Sequence, residues 1–118
     1  MKMKFVFNAG LAALALSAGL FAAAKASEGD PARGQQVYNE TCVACHGENG
    51  KGAIDGVPDF TRKDGRLAKT DAVLLKNMTE GFQSEGSFME MPAKGGNPDL
   101  TRQDMVDTLA YLRQAFGK

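Results

Sequence analysis

"TCVACHGENG" (residues 41–50) holds both cysteines and the only histidine of the 118-residue chain. Cys42 and Cys45 stand three residues apart, about one turn of helix, and His46 directly follows the second thiol. A structural zinc site takes four Cys or His ligands, and the chain has only these three to offer. A thioredoxin-like dithiol belongs in a βαβ context, which the surrounding pattern lacks. A plain disulfide would leave the histidine unexplained.

The arrangement that uses all three residues is C-x-x-C-H attachment of a haem. Two thiols on one helical turn reach the two vinyl groups on one porphyrin edge and form thioethers, while the adjacent imidazole reaches the iron. On this reading Cys42 and Cys45 carry one covalent haem c, and His46 is the proximal ligand. Both thiols are consumed, which suits an oxidising compartment outside the cytoplasm.

The N-terminus points to the same compartment. Lys2 and Lys4 precede the apolar run "FVFNAGLAALALSAGLFAAA", and Ala24 and Ala26 flank Lys25 in the A-x-A pattern of a signal peptidase site. Residues 1–26 are therefore expected to be a cleaved signal peptide that delivers a domain of residues 27–118 to the periplasm. The alternative is an uncleaved anchor, since about 20 apolar residues suffice to cross a bilayer. Losing Lys2, Lys4 and Lys25 leaves 11 basic residues against 14 acidic ones, a formal charge of −3, which excludes a nucleic-acid binder. The 92 remaining residues carry 12 glycines, and so thin a core calls for support from a cofactor.

Working outward, Asp30 and Pro31 read as N-cap and first residue of a helix from about Pro31 into Cys42. Residues 47–65, rich in glycine and without period, read as a compact loop. "TDAVLLKNMTEGF" reads as a helix capped by Thr70 and stopped at Gly81, with Val73, Leu74, Leu75 and Met78 on its apolar face. "QSEGSFMEMPAKGGNPD" is irregular. The last helix opens with a Thr101 to Asp104 capping box, repeats Met105, Val106, Leu109, Leu112 and Phe116 at helical spacing, and ends at Gly117. Neither repeats nor strand alternation appear, so the expected class is all-α.

With no second histidine, the natural donor for the sixth iron position is a methionine. Met78 and Met105 belong to apolar helix faces and read as core. Met89 and Met91 lie in the irregular stretch, where the chain can approach iron from the side opposite His46. Met91 precedes Pro92, whose fixed φ stiffens the backbone beside the donor. Met91 is the candidate, with Met89 in reserve.

Through "GQQVYNETCVACHG", "GVPDF" and "MPAKGGNPDLT…LAYLR", the chain resembles the class I, small bacterial monohaem c-type cytochromes. "MPAKGG" is similar to the cytochrome c5 type, without the further cysteine pair often seen there. The resemblance covers most of Pro31 to Arg113. It implies the cytochrome c fold, three to four short helices wrapped around one covalent haem. It also implies that Gly34 and Tyr38 of the first helix pack across Tyr111 of the last, and that the Pro58 carbonyl accepts the proximal imidazole N–H. Such a bond orients the ring and raises its basicity.

Thioether ligation and burial both favour ferrous iron and raise the reduction potential. The expected function is a monomeric periplasmic electron carrier, not an enzyme. It would shuttle single electrons between redox proteins, a membrane donor complex and a terminal reductase or oxidase, with no small-molecule substrate. Two alternatives stand beside it. One is a dedicated cytochrome subunit of a periplasmic oxidoreductase complex; the other is an open-site haem enzyme or sensor, which requires that Met91 not bind iron. The basic segment of Arg62, Lys63, Arg66, Lys69 and Lys76, followed by acidic Glu80, Glu85 and Glu90, is either a solvated face or a docking surface.

Overall fold

Asp30 opens the first helix by accepting hydrogen bonds from the backbone N–H of Ala32 and Arg33, and Pro31 occupies the first turn, where a missing N–H costs nothing. The computed structural model describes residues 28–117, together with Gly10 and Gly19; the expected signal peptide and its cleavage site lie outside the described residues. Helix α1 spans Pro31–Val37. It runs into a π-helical turn, Tyr38–Cys42, and then into α2, Val43–His46. The Val43 N–H reaches the Tyr38 carbonyl five residues back, so the turn is one residue wider than an α-turn. The helix therefore continues past the expected end at Cys42, and the widened turn re-aims everything after it.

Helix α3 spans Asp71–Glu80, with the Thr70 hydroxyl accepting from the Val73 N–H and Gly81 at the C-cap with φ 85°. Leu74 and Met78 are buried and Leu75 packs against the core, whereas Val73 is 43% exposed. Val73 thus leaves the apolar face assigned to it, because the buried stripe of a helix this short follows only the 74/78 line.

The irregular stretch contains one element that its glycines and polar residues obscured. Strands β1, Phe82–Gln83, and β2, Glu90–Met91, pair antiparallel with Phe82 opposite Met91. At two residues each, they are too short for alternation to register in sequence. Short 3₁₀ turns occupy Arg66–Ala68 and Ala93–Gly96.

Helix α4, Arg102–Phe116, carries the expected capping box: the Thr101 hydroxyl accepts from the Asp104 N–H while the Asp104 carboxylate accepts from the Thr101 N–H. Met105, Leu109, Leu112 and Phe116 are buried and Val106 is half-buried. The α1 and α4 helices cross at Gly34, where a Cβ would stand 1.9 Å from the Asp107 carbonyl oxygen. Only glycine admits that approach. Around the crossing, the Asp30 N–H donates to buried Asp107 at 2.9 Å, Arg33 pairs with Asp104 at 3.0 Å, and Tyr38 packs tilted on Tyr111 at 5.3 Å. The implied contact of Gly34 and Tyr38 with the last helix is present. The core unites Val37 and Tyr38 with Leu74, Met78, Met105, Leu109 and Phe116, and the described elements are mostly helical.

Candidate functional site

The π-turn and α2 carry Cys42, Cys45 and His46 into the wall of one cleft. The loop after α2 fixes them: the Ala53 N–H donates to the Cys45 carbonyl and the Gly52 N–H to the His46 carbonyl, both at 2.9 Å, while the Tyr38 hydroxyl donates to the Gly47 carbonyl at 2.5 Å. Each of these bonds also satisfies a carbonyl that the end of a helix leaves open.

His46 is 8% exposed, and its ring stacks on Phe60 with centroids 4.6 Å apart. Burial lowers its pKa and keeps the imidazole neutral, the form that offers a lone pair to a metal. Its Nδ1 is buried without a hydrogen-bond partner among the described residues. Pro58 lines the same cleft, but the bond from Nδ1 to its carbonyl is not made in this structure. The imidazole lies flat on Phe60 instead. Burial first, and the neighbouring Cys45 second, push the Cys42 thiol up to about 11, so it is protonated at neutral pH. Both thiols are free.

The rest of the wall comes from the 56–60 loop, α3, the hairpin and α4, and it is predominantly apolar. Three thioethers reach it: Met78, Met89 and Met91. Met105, 2% exposed, lies in the core and takes no part in the cleft wall. Met78 is buried as its helix face required, yet it too fronts the cleft. Met89 and Met91 stand on either side of Glu90 at the start of β2, and both reach the cleft. Behind Met91, Lys94, Gly95 and Gly96 all take positive φ, and a Cβ on Gly95 would stand 2.8 Å from Thr41 Cγ2. That run folds the Met91 strand back onto the π-turn.

Two wall residues escaped the sequence reading. Phe60 looked like a loop aromatic, and only the fold stacks it on His46. Arg66 looked like one charge in a basic run, yet it is half-buried on the cleft wall, donates to Ser84 Oγ and holds its guanidinium 5.0 Å over the Phe82 ring. Among the described residues it has no carboxylate partner.

These residues fit a haem. Two free thiols and a neutral imidazole with an orphaned buried nitrogen border an apolar cleft that also admits soft sulfur donors. The described residues gather no group of three or more His, Cys, Asp or Glu side chains able to hold a bare metal ion.

Comparison with known proteins points the same way. The cytochrome c family model matches residues 31–116. Cytochrome c-555 of Prosthecochloris aestuarii is 39% identical over 88 residues, covering 70% of this chain and 85% of that protein. Cytochrome c-555 of Chlorobaculum thiosulfatiphilum is 35% identical over 83 residues, 70% of this chain and 93% of that protein. Part of the Cbb3-type cytochrome c oxidase subunit FixP of Bradyrhizobium diazoefficiens is 38% identical over 53 residues, covering 44% of this chain and 18% of that protein.

Proposed function

The chain belongs to the cytochrome c family and takes a covalent c-type haem with iron, and from that premise we propose that it is a periplasmic electron carrier with His46/Met91 axial ligation. Cys42 and Cys45 hold the haem as thioethers. The bound haem supplies a one-electron couple at the iron. His46 gives Nε2 to the iron, which leaves the proton on Nδ1, and the Pro58 carbonyl is the acceptor assigned to it. Met91 is preferred to Met89 because its strand pairs with Phe82 and is held by Pro92 and the turn behind it, whereas Met89 lies against Gly56. Arg66 brings an uncompensated positive charge to the wall, suited to a carboxylate of the bound group. The apolar wall excludes water, which disfavours the added charge of ferric iron.

The observation that carries the reading is the buried, neutral, unpartnered imidazole beside two free thiols in a cleft that thioethers also line. The test is the near-infrared spectrum of the ferric protein. An Fe–S(Met) charge-transfer band is expected in the parent protein and in Met89→Ala, and is lost in Met91→Ala. A parent protein without the band that binds CO when reduced would move the assignment to an open-site enzyme or sensor. Export rests on residues 1–26, and a mass of the secreted protein beginning at Ser27 would support it. No described helix is long and apolar enough to cross a membrane. The match to part of an oxidase subunit favours a second reading, a cytochrome committed to one complex, which co-purification with fixed stoichiometry would reveal.

A further inference from the structure

Phe88 stands out on the surface: it is 79% exposed, although burying such a ring is worth about 1.5–3 kcal/mol. It does not hang on a loose loop. The hairpin tip is closed by the Ser87 N–H donating to the Ser84 carbonyl at 3.0 Å. Ser87 Oγ donates to the Met89 carbonyl at 3.0 Å and accepts from the Met89 N–H at 3.1 Å. The ring's far end rests over Gly56, where a Cβ would lie 3.3 Å from Cζ. Gly56 belongs to a turn closed by the Val57 N–H donating to the Ile54 carbonyl at 3.1 Å, and that turn presents Ile54, itself 43% exposed.

The chain on either side of this apolar spot is acidic, while half-buried Arg66 reaches the same hairpin at Ser84 and Phe82. Asp55, Glu85 and Glu90 are exposed, and residues 53–60 and 79–92 contain no Lys or Arg. Met89, the next residue along, lines the cleft, so whatever covers Phe88 sits one residue from the redox site.

We propose that the Phe88 tip with its acidic rim docks a redox protein whose contact face is apolar and ringed by lysine or arginine, a proposal that rests on the carrier reading above. The apolar centre supplies the contact, and the opposite charges steer the encounter.

The test is stopped-flow oxidation of the reduced, haem-loaded protein by two probes. One is tris(phenanthroline)cobalt(III), an apolar trication standing in for the partner's face; the other is hexacyanoferrate(III), an anion. One electron passes in each case, giving ferric protein and either Co(II) or hexacyanoferrate(II). Phe88→Ser is expected to slow the cobalt reaction several-fold and leave the hexacyanoferrate reaction unchanged. The double variant Asp55→Lys/Glu85→Lys is expected to slow the cobalt reaction about tenfold at low ionic strength, to weaken its salt dependence and to speed the anion. Unchanged visible and circular dichroism spectra check that both variants are folded. A cobalt rate indifferent to Phe88→Ser, or an equal slowing with both probes, overturns the proposal. So does a concentration-dependent dimer abolished by Phe88→Ser, since the occupant is then a second copy of this chain. If the reduced protein passes an electron to neither probe, the carrier reading fails first.

Discussion

Replacing Gly34 by alanine separates two opposite expectations. In an isolated helix the change stabilises by about 1 kcal/mol, because glycine loses more backbone entropy on folding. In this protein the new Cβ would stand 1.9 Å from the Asp107 carbonyl oxygen, 2.4 Å from its carbon and 2.8 Å from the Thr108 nitrogen. A comfortable C···O approach is about 3.3 Å, so α1 and α4 must part by roughly 1.4 Å. All three obstacles are backbone, and no rotamer change relieves them. Parting the helices strains the Asp30 bond to Asp107, a carboxylate only 5% exposed, and loosens Tyr38 from Tyr111. Overpacking costs about 1–3 kcal/mol and a weakened buried polar contact about 1–3 more, against the 1 kcal/mol of propensity gained. The expected net loss is about 3 kcal/mol, which lowers Tm by more than about 10 °C in a domain of this size. Denaturant and thermal unfolding of the haem-loaded protein measure it, with Gln35→Ala, exposed on the same helix, as a control expected to change stability by less than about 0.5 kcal/mol. A Gly34→Ala protein as stable as its parent would refute the account of the crossing. Because α1 leads through the π-turn to Cys42, Cys45 and His46, the variant should also broaden the haem absorption bands.

Three further outcomes are expected. Burial first, with Tyr111 adding to it, raises the Tyr38 pKa in the folded state. Its contribution is therefore complete below the unfolded tyrosine value near 10 and is lost as pH rises above it. Tyr38→Phe should cost about 1 kcal/mol at neutral pH for the lost bond to Gly47, and should flatten the alkaline loss seen in pH-dependent melting. Hydrogen bonds from the Thr101 backbone and side chain, and then Arg33, hold Asp104 below the usual carboxylate range. Its stabilisation is thus present above the unfolded carboxylate value and lost as pH falls through the lower folded one; Asp104→Ala, costing about 1 kcal/mol at pH 7, should melt with a shallower acid limb. Arg66→Met removes a positive charge from the cleft wall, and spectroelectrochemical titration should find the potential lowered on the order of tens of millivolts. A potential unmoved by Arg66→Met would place that charge outside the field of the iron.

The local features were legible because adjacency in the chain is adjacency in space over one helical turn. Cys42, Cys45 and His46 fall within five residues, and the caps Asp30, Thr70 and Thr101 act on N–H groups two or three residues ahead. Val73 was misplaced for the complementary reason. Helical periodicity marks a stripe, but which edge of that stripe is covered depends on what packs against it.

What the sequence determined by itself is therefore the attachment chemistry, the all-α class and the ends of α3 and α4, all governed by short-range geometry. Tertiary structure alone decided that Phe60 stacks on His46, that Met78 joins Met89 and Met91 at the cleft, that Arg66 stands on its wall, and that Phe88 faces outward. Each of those placements depends on segments many residues apart meeting at one crossing or one hairpin. The crossing of α1 and α4 at Gly34 is likewise a contact between chain segments more than seventy residues apart that no local period encodes.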